Sequence, residues 1–268
     1  MAELLTSTGV ENHAVVAPAE WLASRKELLQ KEKDFTRLRD ELSAQRRQLP
    51  WVTVDKNYVF DGPTGKQSLS DLFEGRDQLI IYHFMFGPDW EAGCPSCSFL
   101  ADHFNSFIVH LNARDISMSV VSKAPIAQLQ AFEKRMGWSF NWVSSYGNSF
   151  NRDFHVSFTK EEMATGKVYY NYGMMEFPSE EAPGLSVFYK NDAGEIFHTY
   201  STYTRGLDIL LGAYNFIDMT PRGRDEDALP HPMAWVRHHD RYSHSPAAKA
   251  NATQKTGSAS CCAEEHRP

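Results

Sequence analysis

Leu79-Ile-Ile-Tyr-His-Phe-Met-Phe86 runs through Gly87-Pro-Asp-Trp-Glu-Ala-Gly93 into Cys94-Pro-Ser-Cys97. The first eight residues are almost all apolar, as expected of a strand buried on both faces. The next seven hold Gly and Pro and read as a loop. Beyond them Cys97, Leu100, Phe104, Phe107, Ile108 and Leu111 fall at helical spacing, so Pro95 to about Asn112 reads as an amphipathic helix. Pro is tolerated at the first helical position, where its missing N–H would have had no partner. The stretch thus sets a Cys-x-x-Cys pair where a buried strand hands over to a helix. The unpaired amides and dipole of that helix end favour a thiolate at Cys94. Three residues of spacing bring Cys97 within disulfide reach. Cys94 is the expected attacking thiolate and Cys97, one turn further in, the resolving thiol. This chemistry requires both sulfurs at the mouth of an accessible cleft.

Working outward, the flanks supply a complete domain. Trp51 to Val54 and Tyr58 to Phe60 read as short strands, with a turn at Asp61-Gly-Pro-Thr-Gly65 and a short helix at Ser68 to Phe73. Ile116 to Val121 is a strand, Pro125 to Met136 a helix stopped by Gly137, and Trp138 to Val143 a strand. Residues 144–182 are less regular and read as an insertion with a short helix. Leu185 to Tyr189 and Glu195 to Tyr200 flank a turn and read as a hairpin. Arg205 to Ile217 is a helix. Strands joined by helices imply parallel pairing, and the hairpin adds antiparallel strands. The fold class is α/β, a mixed sheet with helices on both faces. The expected divisions are an N-terminal extension over 1–49, the main domain over 50–242, and a disordered tail over 243–268.

The extension carries one long helix from Pro18 to about Gln48. Trp21, Leu28, Phe35, Leu42 and Leu49 recur every seven residues among dense Lys, Arg, Glu and Asp. Such a stripe fits a helix laid across the domain, or a dimer arm, because this spacing suits a coiled-coil seam.

Composition bounds the function. The 268 residues are 42% apolar and 23% charged, with a net charge of −7, which is globular and argues against a nucleic-acid binder held by bulk positive charge. No stretch approaches the ~20 apolar residues of a membrane helix, and no secretory signal is visible, so a cytoplasmic protein is expected. Four cysteines cannot make a disulfide scaffold; clustered as Cys94/Cys97 and Cys261/Cys262, they suggest redox or metal chemistry. No Gly-x-Gly-x-x-Gly pattern surrounds Gly87 or Gly93, so no nicotinamide or flavin cofactor is expected. Electrons would come from a thiol protein or a small thiol. Structural zinc would want a second Cys pair. A copper or iron site from Cys94, Cys97 and His83 or His103 stays open, as does a redox-inert module.

The sequence resembles the thioredoxin superfamily, and more closely the family called domain of unknown function 899, described as thioredoxin-like predicted dithiol–disulfide oxidoreductases. The resemblance rests on Tyr82-His-Phe-Met-Phe-Gly-Pro-Asp-Trp90, Gly93-Cys-Pro-Ser-Cys97, Met136-Gly-Trp138, Trp142-Val-Ser-Ser145, Phe150-Asn-Arg-Asp-Phe154 and Thr220-Pro-Arg-Gly-Arg224, and covers residues 10–242. It implies a thioredoxin-like fold and a dithiol. It also implies that Pro183 takes the place of the cis-proline facing the Cys pair, and that His83 takes the place of a buried proton acceptor for Cys97. Trp90, Pro95, Ser96 and Pro183 are then the expected substrate contacts. Two departures stand out. Gly93 occupies the position where thioredoxins carry Trp. Glu91 sits where peroxiredoxins want Thr or Ser, and its charge would disfavour a thiolate, which puts the rival thiol peroxidase reading in doubt. Tyr169, Tyr170, Tyr172, Met174, Met175 and Phe177 are candidates for a pocket wall or for core. Arg222, Arg224, Arg237, His238, His239 and Asp240 are candidates for an anion site or for a solvated face.

Overall fold

A computed structural model describes residues 13–242. The predicted tail and Cys261/Cys262 lie outside the described residues. The strands are β1 (Val52–Thr53), β2 (Val59–Gly62), β3 (Gly65–Ser68), β4 (Gln78–His83), β5 (Ile116–Ser122), β6 (Asn141–Ser144), β7 (Val168–Tyr170), β8 (Gly173–Met175), β9 (Gly184–Lys190) and β10 (Ile196–Tyr203). Eight of them form one mixed sheet in the order β1-β10-β9-β4-β5-β6-β2-β3; β7 and β8 make a separate hairpin inside the 144–182 stretch. β4, β5 and β6 are parallel, and β9 lies antiparallel to β4 with His83 opposite Gly184. The run β10-β9-β4-β5, with the Cys-x-x-Cys helix leaving β4, is the thioredoxin-like arrangement.

Strand alternation divides the core. Leu79 and Ile81 of β4 join Phe60, Val121, Val143, Phe150, Phe154 and Phe188 on one face of the sheet. Tyr82 and Phe84 join Phe104, Phe132, Trp138, Trp142 and both site cysteines on the other. This second face is covered by α2 (Pro95–Ala101), α3 (Phe104–Asn112) and α4 (Ile126–Met136).

Two predicted helices are interrupted. The helix expected from Pro95 to Asn112 breaks at Asp102–His103. The hydroxyl of Ser98 donates to the Cys94 carbonyl at 2.9 Å, a back-bond that bends helices. The Asp102 carboxylate is held by Trp138 Nε1 (2.9 Å) and by His239 Nδ1 (2.7 Å). The helix expected from Arg205 to Ile217 is a 3₁₀ segment, Thr204–Leu210, and a short helix, Gly212–Ile217, because Leu211 leaves helical geometry at ψ 78°. The predicted helix at 68–73 is only a 3₁₀ turn, Asp71–Phe73, preceded by β3.

The N-terminal helix α1 (Pro18–Arg47) forms as its pattern predicts, but none of its residues is buried. It is not laid across the domain: its apolar stripe faces outward, with Trp21 59% and Phe35 66% exposed. Among the described residues, no helix is long and apolar enough to cross a membrane.

Candidate active site: the Cys94–Cys97 pair

Cys94 caps the start of α2. Its own amide donates to the Met85 carbonyl at 3.1 Å, tying the loop back to the end of β4. Its sulfur accepts the Cys97 amide at 3.4 Å, one of the donors a helix N-terminus leaves unpaired. No disulfide joins the two cysteines in this structure. The Cys97 thiol is pushed up in pKa, first by burial and then by the Cys94 sulfur to which it donates. The Tyr82 hydroxyl and the Met85 amide act in the opposite direction, both bonding to the Cys97 sulfur. The pair is therefore asymmetric. One sulfur is held at a helix start, and the other is a thiol kept protonated until something draws the proton away.

Gly93 explains the missing Trp before the pair. A Cβ at this position would stand 2.6 Å from the Phe84 ring and 3.1 Å from Phe132, so even a methyl group forces Phe84 to shift and an indole has no room. Trp90 instead folds back within the loop, half-buried, and its carbonyl accepts the Gln128 amide. Pro95 is exposed and Ser96 half-buried, the two residues between the cysteines in the chain. Glu91 is exposed on the same loop.

Neither sulfur stands open to solvent among the described residues. Cys94 is 4% exposed and Cys97 2%. The cover includes a C-terminal strap, residues 233–241. His238 Nε2 meets the Gly93 carbonyl at 2.8 Å, and Arg135 grips Asp240 with two bonds of 2.8 Å. Trp235 packs edge-on against Phe99. The His238 and Asp240 read from sequence as anion-site or surface residues are thus fasteners. Arg224 is likewise occupied by Asp218 (2.8 Å), Asp208 and the Tyr214 ring. Gln128 had no signal in the sequence, and the strap stood out only as a charged run, since both act through contacts far apart along the chain.

Two site expectations fail on geometry. His83 lies on the opposite face of the sheet from the thiols, because a strand turns successive side chains to opposite sides. Its Nε2 is 2.8 Å from Ser186 Oγ, its ring stacks on Phe150 and Phe154, and burial lowers its pKa to about 3. It cannot receive the Cys97 proton; Tyr82, one residue earlier, is the side chain that reaches Cys97. Pro183 does stand beside the end of β4, next to Gly184. However, the described residues contain no cis peptide bond, and the Pro183 carbonyl accepts the Tyr170 hydroxyl. It presents no unpaired carbonyl to a partner strand.

Among the described residues no three His, Cys, Asp or Glu side chains converge as metal ligands. His83 faces away, and His103 packs against Gly212, so neither completes a site with the cysteines. Of the aromatic set, Tyr170 and Phe177 are core. Tyr169 and Tyr172 instead line a groove of about 470 Å³ with Tyr58, His155, His198 and Tyr203, away from the thiols.

The family model described as bacterial protein of unknown function (DUF899) matches residues 10–242. The chain belongs to this family. No curated protein matches the sequence. Among solved structures, peroxidoxin BcpB from Mycobacterium tuberculosis is similar at 14% identity and a TM-score of 0.40, over 63% of this chain and 97% of that one. Peroxiredoxin Q from Xanthomonas campestris is similar at 13% identity and 0.42, over 62% and 95%. A cysteine-to-serine mutant of Xylella fastidiosa PrxQ is similar at 11% and 0.39, over 62% and 94%.

Proposed function

We propose that this DUF899 chain is a dithiol–disulfide oxidoreductase. The observation that carries the reading is the double donation to Cys94: the Cys97 amide and the Cys97 thiol both point at its sulfur. Deprotonated Cys94 attacks one sulfur of a partner disulfide. The partner S–S bond breaks and one partner thiolate leaves. Cys97 then gives up its proton to the departing thiolate or to water and attacks Cys94, releasing the second partner sulfur. Two electrons pass to the partner and the Cys94–Cys97 disulfide remains, to be reduced by a thiol protein or a small thiol. The Tyr82 hydroxyl favours the Cys97 thiolate during the second step. The strap over residues 233–241 has to lift from the Gly93 carbonyl before a partner disulfide reaches the Cys94 sulfur, and Trp90, Pro95 and Ser96 then contact the incoming group. The reading fits a reducing compartment such as the cytoplasm.

The test is disulfide reduction by purified protein. Cys94→Ser is expected to fall to background, and Cys97→Ser to accumulate mixed disulfides. Full activity in Cys94→Ser overturns the proposal.

The narrow exposure of Cys94 favours a second reading, because a small oxidant needs less opening than a folded partner. A peroxide would oxidise the Cys94 thiolate to the sulfenic acid with loss of hydroxide. Cys97 would then condense with it, releasing water and closing the disulfide. Oxidation of Cys94 by hydrogen peroxide far faster than that of free cysteine supports this reading; a rate equal to free cysteine removes it.

A further inference from the structure

The long helix offers an apolar stripe that the domain leaves uncovered, although Arg46 near its end sets its guanidinium 5.6 Å from the centre of the Tyr200 ring. α1 spans 30 residues, about 45 Å at the usual helical rise. Trp21, Leu28, Phe35 and Leu42 repeat every seven residues and are all exposed. Placed at the first position of a heptad, these four residues fix the rest. The position just before each is acidic throughout: Glu20, Glu27, Asp34 and Glu41. The position four residues after each is Arg25, Glu32, Arg39 and Arg46. These are the two edges that flank the seam of a coiled coil and choose partner and direction.

The charges distinguish the two directions. In a parallel pair each acidic edge residue meets the opposite-edge residue of the next heptad in its partner. The matches are Glu20 with Arg25, Asp34 with Arg39 and Glu41 with Arg46, with only Glu27 facing Glu32. Glu32 is bonded to Arg25 of its own chain at 2.7 Å, so in the pair that guanidinium is shared between Glu32 and the partner's acidic edge. In an antiparallel pair acidic edge would meet acidic edge along the whole length. The inner half of the seam is polar, with Ser24, Lys31 and Gln45 beside Leu38. Lysine stems can lie along such a seam with the ammonium in water, and polar seam residues fix register at a cost in strength.

We propose that the partner of this surface is a second copy of the chain, bound through α1 as a parallel two-stranded coiled coil. The two domains then lie at the same end of the pair. The inference is independent of the thiol chemistry.

Light scattering on the full-length protein is expected to give twice the chain mass at micromolar concentration. Leu28→Asp combined with Phe35→Asp is expected to weaken self-association by about a hundredfold or more, since it sets charge into the seam. Both residues are exposed in the single chain, so the domain's circular dichroism stays unchanged. With Cys261→Ser and Cys262→Ser in place, Leu28→Cys is expected to yield a disulfide-linked dimer on mild oxidation, because equal positions face each other only in the parallel arrangement. A monomeric wild type, or a dimer indifferent to the Asp pair, overturns the proposal. A dimer that Leu28→Cys fails to cross-link overturns the parallel direction.

Discussion

The two faces of the central sheet meet at β4, and one residue step separates two kinds of polar group. On one face Tyr82 reaches the Cys97 sulfur. On the other, His83 begins a chain that runs to half-buried His198: His83 to Ser186, Ser186 to Ser201, and Ser201 to His198, with contacts of 2.7–2.8 Å. Aromatic rings stack on His83, whose second nitrogen has no partner among the described residues, while His198 lines the groove. The contrast teaches that a titratable residue beside a reactive loop does nothing for it when the strand turns the side chain away. The thiol face holds two sulfurs and a hydroxyl in one hydrogen-bonded group, and the histidine face holds a ring buried among aromatics.

The largest effect that can break this division is a cavity on the histidine face. Phe150 is fully buried there, so Phe150→Ala is expected to cost about 3–5 kcal/mol of stability, measured by urea unfolding. The Cys94–Cys97 reduction potential should stay put; a matching shift would show that the faces are coupled.

Next comes pH. The folded-state pKa of His83, about 3, lies below its ordinary value of 6.5. The unfolded chain therefore takes the proton first, and acid favours unfolding. The stability from keeping His83 neutral is complete above about pH 6.5 and drains at about 1.4 kcal/mol per pH unit below it. His83→Gln should flatten that acid-side loss in urea unfolding followed from pH 6.5 to 4. Glu181 acts in the opposite sense. Burial raises it to about 7 despite hydrogen bonds from Ser157 at 2.7 Å. Its folded form holds a proton that the unfolded chain has lost, so its contribution falls as pH rises from about 4.5 to 7. Glu181→Gln should remove that fall.

A smaller, local effect separates the faces at the loop. Gly93→Ala sets a methyl group against Phe84 and should cost about 1–3 kcal/mol by overpacking, read as a lower Tm with greater reactivity of Cys94. The smallest expected change is also the most specific. Tyr82→Phe removes one hydrogen bond to the Cys97 sulfur, worth about 0.5–1.5 kcal/mol. It should slow resolution of a mixed disulfide up to roughly tenfold and raise the pH at which Cys97 reacts, whereas His83→Gln leaves both unchanged.

Much of this was readable from the residues alone. The apolar run at 79–86, the Gly/Pro loop and the helical spacing after Cys97 located β4, the Cys pair and α2. The heptad of Trp21, Leu28, Phe35 and Leu42 gave α1 almost to the residue. Which face His83 takes was not readable, because a strand apolar on both sides carries no alternation to mark the face under α2. The break at Asp102 was hidden as well, since two of the groups that hold it, Trp138 and His239, lie far along the chain. The strap read as a solvated run because Arg135, which anchors Asp240, lies in another helix.

The fastening of His238 to the Gly93 carbonyl makes size a selector. A reagent small enough to slip past the lid modifies Cys94 at a rate set by sulfur chemistry, whereas a bulky one waits for the latch to open. Labelling rates that part company as reagents grow would measure how often that latch lifts.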